Sequence, residues 1–241
     1  MTSQTPPDTV IYAIGDIHGR VDLLAAIHDR IEMDARQRSA RRKIVVYLGD
    51  YVSRGADCRG VVDRVREWLP AGFERVTLKG NHEDLLLSFL GGDLDMGRHW
   101  FDYGGLDALA HYGVSIPDRQ ARDDASLTLL RDRFGAALPQ AHLDFFRALS
   151  VSYRAGDYYF VHGGIRPGVP LAEQSDHDRM WIRKAFLDSD ADHGVVIVHG
   201  HSISAHPVIR PNRIGIDTGA YRSGVLTCLL LEGPLREFLR T

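Results

Sequence analysis

The sequence predicts an α/β fold, because short apolar runs typical of buried strands alternate with longer amphipathic segments typical of helices. Residues 44–48 are rich in β-branched side chains and end at a glycine, as a central parallel strand does. Residues 21–31 and 60–69 place apolar side chains three or four positions apart, which predicts helices. The alternation therefore indicates β-α-β units around a largely parallel sheet.

Polar residues beside glycine follow five of the predicted strands, and Asp50 is the centre of this pattern. Because functional sites of open α/β sheets lie at the carboxyl ends of strands, we expect these residues to meet. Aspartate, asparagine and histidine are ligands of divalent metal ions. One such turn is equally well explained by turn chemistry, but five together predict a metal site. The segments are GDIHG (15–19), GDYVSRG (49–55), GNHE (80–83), HGG (162–164) and HGH (199–201).

In this order the five segments resemble the phosphoprotein phosphatase branch of the calcineurin-like dinuclear metallophosphoesterases. The resemblance extends from Gly15 to about Gly219. Bacterial serine/threonine protein phosphatase-like members and the symmetrical dinucleoside tetraphosphatases both have this pattern. The resemblance implies a four-layer α/β sandwich, in which two mixed β-sheets are flanked by helices.

The resemblance also implies two divalent metal ions that share one ligand. Mn²⁺ is the expected ion, both by resemblance and because manganese accepts mixed oxygen and imidazole ligands, with iron or zinc as alternatives. The implied ligands are Asp16 and His18 for one ion, Asn81, His162 and His201 for the other, and Asp50 for both.

The implied reaction is attack on phosphorus by a hydroxide that bridges the two ions. Arg54, Arg183 and Asn81 would then stabilise the charge that spreads over the phosphoryl oxygens. His82 would protonate the departing oxygen as general acid.

Four residues are predicted to bind substrate. Arg54 and Arg183 are the arginines expected to grip the phosphate, and Arg166 is a second candidate for the duty of Arg183. Tyr221, in the segment DTGAY, matches a turn that borders the cleft in the family.

Ser53 departs from the family pattern, in which an aspartate at this position partners the general-acid histidine. A serine hydroxyl can hold a histidine ring but contributes no charge, so His82 should be protonated less often. We therefore hypothesise that substrates with good leaving groups are hydrolysed and alkyl phosphates only weakly. If Asp57 or Glu83 replaced the missing carboxylate, hydrolysis of alkyl phosphates would not be weakened.

The chain divides by pattern into a polar tail at residues 1–8 and one domain at 9–241, with a helical insertion at about 93–149 over the site. In the insertion, the aromatic residues Trp100, Phe101 and Tyr103 serve either core packing or a substrate cleft. The runs at 208–209, 213–216 and 225–231 predict short antiparallel strands that close a second sheet.

The composition limits which binding partners and which cellular compartment we expect. A formal charge of −3 gives no basic field, so a nucleic-acid polymer is not expected. No apolar run reaches 18 residues, so no membrane partner is expected. Cys58 and Cys228 lack CxxC spacing and fit a reducing compartment, which predicts a cytoplasmic location.

Three classes of function follow. The leading one is a metal-dependent phosphatase acting on phosphomonoesters, namely phosphoserine, phosphothreonine or phosphotyrosine in proteins. The second is a hydrolase of dinucleoside tetraphosphates or other nucleotides, which the same ligands support. The third is a degenerate phosphatase that only binds a partner, and the complete set of six implied ligands argues against it.

Overall fold

Two five-stranded β-sheets pack face to face in a computed structural model of the chain, in which residues 3–241 are described. The first sheet has the order β10-β9-β1-β2-β3, with bounds β1 Thr9–Ile14, β2 Arg42–Tyr47, β3 Phe73–Thr77, β9 Thr227–Glu232 and β10 Leu235–Arg240. The second has the order β4-β5-β6-β8-β7, with bounds β4 Ser152–Ala155, β5 Tyr158–Val161, β6 Val196–His199, β7 Val208–Ile209 and β8 Arg213–Gly215.

The central strands are apolar on both faces because each face is covered. Along β2, Ile44 and Val46 point into the core between the two sheets, where they meet Phe160 of β5. Val45 and Tyr47 point the other way, into the core under the helices. Burial on both faces explains why the sequence shows a continuous apolar run here and no alternation with polar residues.

Helices cover the outer face of each sheet. α1 (Val21–Ala35), α2 (Cys58–Glu67) and α3 (Asn81–Leu90) follow β1, β2 and β3 and pack on the first sheet. Phe186, in the short helix α9 (Lys184–Leu187) that follows α8 (Asp176–Trp181), packs against β5 and β6 on the outer face of the second sheet. The predicted four-layer α/β sandwich with two mixed sheets is therefore confirmed.

Four helices occupy the segment predicted as an insertion: α4 (Leu94–Asp102), α5 (Gly105–His111), α6 (Asp124–Ala137) and α7 (Gln140–Ala148). Trp100 and Phe101 are buried in the same apolar core as the helices of the first sheet. Tyr103 differs, because 48% of it is exposed. Trp100 and Phe101 therefore pack in the core.

The prediction for the last strands is wrong in part. β7 and β8 lie in the second sheet as an antiparallel pair, but β8 also pairs parallel with β6. β9 lies in the first sheet, antiparallel to β1, after the chain has crossed through α10 (Ala220–Ser223). The apolar sequence of β9 indicates a buried strand, yet both sheets bury their strands, so the pattern does not choose between them. β10 was not predicted.

The predicted tail lies partly within the structure. Met1 and Thr2 are outside the described residues. Thr5 is buried, and its backbone N–H donates to the carbonyl of Gly233 at 3.3 Å while its hydroxyl donates to that of Thr9 at 2.9 Å. The division into a tail and a single domain stays a prediction.

Within residues 3–241, none of the helices combines the length and the apolar character that crossing a membrane requires.

His28 is a buried histidine of α1 that holds the helices to the first sheet. Its ring stacks on Trp68 with centroids 3.7 Å apart. Arg64 Nε donates to His28 Nδ1 at 3.2 Å, so Nε2 carries the hydrogen and donates to the Tyr47 hydroxyl at 2.9 Å. Burial, together with the charge of Arg64, lowers the pKa of His28 to about 2. The ring is therefore neutral in the folded protein.

The neutral His28 should make stability depend on pH. Below a pH of about 6.5 the unfolded chain protonates this residue and the folded chain does not, so the free energy of unfolding falls as pH drops. We expect the loss between pH 7 and pH 5, measured by urea unfolding, to be smaller by about 2 kcal/mol in His28→Gln than in the unmodified protein. An equal loss in both proteins would contradict this assignment.

Candidate metal centre

The loop after β2 places Asp50 at the centre of the site in a left-handed backbone conformation, with φ of 53°. Ser53 and Arg54 in the same loop also have positive φ, at 75° and 70°. Such conformations cost non-glycine residues of order 1–3 kcal/mol each and persist only where the surrounding contacts enforce them.

Glu83 of α3 supplies the contacts that hold this loop. Its buried carboxylate accepts the backbone N–H of Asp50 and that of Tyr51, each at 2.8 Å, and the N–H of Gly80 at 3.0 Å. These bonds join the loop after β2 to the loop after β3. The two strand ends are therefore held as one unit.

The two carboxylate oxygens of Asp50 face different groups of ligand-type atoms. Oδ2 lies 3.3 Å from Nε2 of His18 and 3.9 Å from Nε2 of His82, whereas Oδ1 lies 3.4 Å from Nε2 of His162. Ligand-type atoms of His18, Asp50 and His82 all lie within 4.8 Å of one another, as do those of Asp50, His162 and His201. Asp50 is therefore common to both groups.

Backbone carbonyls fix which histidine nitrogens face Asp50. Nδ1 of His18 lies 2.9 Å from the carbonyl of Val52, and Nδ1 of His162 lies 2.9 Å from that of Leu48. A carbonyl only accepts, so each Nδ1 carries the hydrogen and each Nε2 presents a lone pair to the carboxylate. Lone pairs that face a carboxylate repel it unless a cation lies between them.

The second group is crowded with acceptor atoms. Nε2 of His162 lies 3.0 Å from Oδ1 of Asn81 and 3.2 Å from Nδ1 of His201. Nε2 of His201 is buried without a hydrogen-bond partner among residues 3–241. Oxygen and imidazole atoms that converge in this way are the donor set of a divalent transition metal.

Asp16 is not in either group in the described part of the chain, but it lies beside them. Its carboxylate accepts the backbone N–H of His201, at 2.9 Å to Oδ2 and 3.2 Å to Oδ1. Burial, followed by the charges of Asp217 and Asp50, raises the pKa of Asp16 well above its usual range. Burial also raises the pKa of Asp50 to about 7, and the positive charges of Arg54 and Arg183 oppose that rise.

Asp217 is a residue of the site that sequence reasoning missed. It is buried, its charge contributes to the raised pKa of Asp16, and burial raises its own pKa. Its place after β8 in the segment DTG was the available signal, since that segment ends a strand as the ligand segments do.

Arg54 and Tyr221 lie together beside the first group. Nη2 of Arg54 is 3.3 Å from Nε2 of His82, and its guanidinium lies over the Tyr221 ring at 4.8 Å. The Tyr221 ring is in turn edge-on to His18, with centroids 5.4 Å apart. Arg166 is not brought to this place, because it forms a two-pronged ion pair with Asp178 at 2.7 and 2.9 Å.

Ser53 does not hold the His82 ring. Its buried hydroxyl accepts from Nε1 of Trp100 at 2.9 Å, and Nδ1 of His82 is buried without a hydrogen-bond partner in the described chain. Neither proposed replacement bonds to that nitrogen, because Glu83 holds the loop and Asp57 accepts the Gly60 N–H at the start of α2. Burial, followed by the nearby His18 ring and the charge of Arg54, lowers the pKa of His82.

His199 lies outside the two groups. Its Nδ1 lies 3.0 Å from the carbonyl of Gly200, and its ring is edge-on to Phe186 with centroids 5.1 Å apart.

Solved structures with the same fold include three phosphoesterases. A candidate diadenosine tetraphosphatase matches with a TM-score of 0.63 and 17% identity, over 100% of this chain and 98% of that one. A cold-active protein-tyrosine phosphatase of a psychrophilic Shewanella species matches with a TM-score of 0.52 and 18% identity, over 98% and 83%. A metallophosphoesterase from Sphaerobacter thermophilus matches with a TM-score of 0.53 and 18% identity, over 97% and 88%.

Comparison with curated protein sequences finds no match. At 17–18% identity the structural matches establish the fold alone. A family model for calcineurin-like phosphoesterases, however, matches residues 9–223, which include both groups around Asp50. The chain therefore belongs to the calcineurin-like phosphoesterase family.

Proposed function

We propose that this phosphoesterase is a dinuclear metal-dependent phosphatase of the protein phosphatase type, which hydrolyses phosphomonoesters. The observation that carries the proposal is the position of Asp50, whose two oxygens face two separate groups of ligand-type atoms. One ion would be held by Asp16, His18 and Asp50. The other would be held by Asp50, Asn81, His162 and His201.

The ligand-type atoms of the site suit divalent ions. The neighbouring backbone also restricts where the carboxylates of Asp50 and Asp16 can lie. A Cβ on Gly80 would collide with Oδ1 of Asp50, and one on Gly200 with Oδ1 of Asp16. When bound, two such ions activate water at neutral pH and offset the charge of a phosphoryl group. We propose Mn²⁺ because the set mixes carboxylate, amide and imidazole, with iron or zinc as alternatives.

The surrounding side chains would bind and orient the phosphoryl group. Arg54, stacked on Tyr221, places a fixed guanidinium fork beside the first group, where it can neutralise phosphoryl oxygens. We assign the matching role on the other side to Arg183, whose charge acts on both Asp50 and His162. Arg166 would first have to leave Asp178, so it is the weaker candidate.

The environment of His82 favours substrates with good leaving groups. Nδ1 of His82 has no partner among residues 3–241 that would stabilise the protonated ring, so proton donation to a basic leaving oxygen is disfavoured. A phenolate, with a pKa of about 10, departs more readily than an alkoxide. Phosphotyrosine is therefore preferred over phosphoserine in this proposal.

The absence of a carboxylate on Nδ1 of His82 in the described chain also favours a second candidate function. The leaving group of a phosphoanhydride also needs little protonation, so a dinucleoside tetraphosphate or another nucleotide would suit this site. A degenerate binding module is disfavoured, because the complete set of implied ligands is present.

Two further proposals concern partners and compartment. The partner would be a phosphorylated protein or a small phosphoester. Cys58 and Cys228 are buried free thiols, which fits a reducing, cytoplasmic location.

Phosphate release tests the activity. We expect turnover with Mn²⁺ and none by the metal-free protein, faster turnover of a phosphotyrosine peptide than of a phosphoserine peptide, and kcat/KM at least about 100-fold lower in Asp50→Asn. Faster turnover of diadenosine tetraphosphate would favour the second candidate. No turnover by protein that holds two ions would overturn the proposal.

The close approach of Gly80 to Asp50 predicts a loss of metal affinity. Gly80→Ala should bind Mn²⁺ about 10- to 100-fold more weakly by calorimetry, because the new methyl displaces the shared carboxylate. Gly135→Ala is the matched control, since it lies in α6 with its nearest neighbouring atom 3.9 Å from the added carbon. Equal affinities for the two variants would show that the position of Asp50 does not control metal binding.

Restoring a carboxylate at position 53 should change leaving-group preference. In Ser53→Asp the ratio of alkyl to aryl phosphate turnover should rise about 10-fold or more, because a charged partner for His82 aids protonation of the poorer leaving group. Ser53→Ala removes the acceptor of Trp100 without adding charge, so its ratio should match that of the unmodified protein. An unchanged ratio in Ser53→Asp would refute the role given to His82.

A further inference from the structure

The turn between α4 and α5, at residues 103–104, lies directly against the loop that carries Arg54. Gly104 has φ of 94°, and a Cβ added to it would lie 2.9 Å from the backbone nitrogen of Arg54 and 3.0 Å from its Cγ. Such contacts leave no space for a side chain. Glycine is therefore required at position 104 both for the close approach and for the positive φ.

The carbonyl that precedes Gly104 contacts the guanidinium of Arg54 itself. Nε of Arg54 donates to the carbonyl oxygen of Tyr103 at 3.4 Å. On its other sides the guanidinium meets Nε2 of His82 and the ring of Tyr221. Because a guanidinium is planar and its donors form a fixed fork, an acceptor at Nε determines where the two Nη groups point.

Trp100 of α4 holds the residue before Arg54. Its Nε1 donates to the hydroxyl of Ser53 at 2.9 Å, and both side chains are buried. The hydrogen bonds of Glu83 to this loop reach only residues 50–52, in the described chain. The left-handed conformations of Ser53 and Arg54 lie beyond those bonds, so contacts from the helical insertion enforce them.

We propose that the α4–α5 turn positions Arg54 for the phosphoryl group, with Gly104 as the positioning residue. The metal centre is then built by two separate devices: Glu83 orients the shared ligand Asp50, and the helical insertion orients Arg54. This inference rests on the proposed function, because it takes Arg54 to bind phosphoryl oxygens. A group misplaced by about 1 Å can cost about 100-fold in rate, so small shifts of the turn matter.

Two glycine variants test the proposal. Gly104→Ala should lower kcat/KM on a phosphotyrosine peptide at least about 10-fold, and should weaken the binding of inorganic phosphate to the Mn²⁺-loaded protein by a similar factor in calorimetry.

Gly113→Ala is the matched control. Gly113 lies just after α5 as Gly104 lies just before it, and its φ of 83° is also left-handed. Within residues 3–241, no atom lies within 4 Å of the Cβ that alanine would add there. This variant should match the unmodified protein within about twofold in both measurements.

Two further readouts separate positioning from general damage to the loop. The Mn²⁺ affinity of Gly104→Ala should stay within about twofold of the unmodified protein, because Glu83 and not the turn holds Asp50. In an Arg54→Ala background, Gly104→Ala should lower kcat/KM by less than about twofold, because the group that the glycine positions is already gone.

Trp100→Phe serves if Gly104→Ala does not fold. It keeps an aromatic ring but removes the donor to Ser53, so phosphate should bind at least about 3-fold more weakly. An unchanged phosphate affinity in that variant would then overturn the proposal.

Equal phosphate affinities in Gly104→Ala and Gly113→Ala would overturn the positioning role. So would a loss of Mn²⁺ binding in Gly104→Ala, additive losses in the double variant, or the failure of the Mn²⁺-loaded unmodified protein to bind phosphate. No turnover by unmodified protein that binds both Mn²⁺ and phosphate would instead overturn the proposed function, and the phosphate titrations would still decide the role of Gly104.

Discussion

The buried carboxyl group of Glu83 holds together the two loops that form the candidate metal centre. It accepts backbone N–H groups from the loop after β2 and from the loop after β3, so it fixes two strand ends relative to each other. Each of these hydrogen bonds contributes about 0.5–1.5 kcal/mol, and together they offset strain of the size found in this loop. Asp50 can therefore adopt the left-handed conformation and direct one oxygen to each group of ligand-type atoms.

Several residues with positive φ carry the ligand-type side chains of the candidate site. His18 and His201 also have positive φ, at 45° and 62°. In each case the unusual backbone turns a ligand-type side chain back toward the strand ends. The fold brings five loops together, and buried hydrogen bonds orient the side chains of those loops.

Much of this arrangement could be predicted from the sequence, because its causes are local. A short β-branched run that ends in Gly-Asp specifies both a buried strand and the residue it delivers, and this identified Asp50. The sheet that contains β9 was not predictable in this way, because burial on both faces is common to the two sheets. Contacts between distant segments could not be predicted from the sequence either. The hydrogen bond from Trp100 to Ser53, for example, joins the helical insertion to the site, and no pattern in either segment indicates it.

We propose above all that two metal ions share Asp50. Electron paramagnetic resonance of the protein titrated with Mn²⁺ tests it directly, since ions that share a carboxylate lie about 3.5–4 Å apart and couple their spins. We expect binding of two ions per chain and, at saturation, the spectrum of a coupled pair. Saturation at one ion, or two ions that give the six-line signal of isolated Mn²⁺, would contradict it.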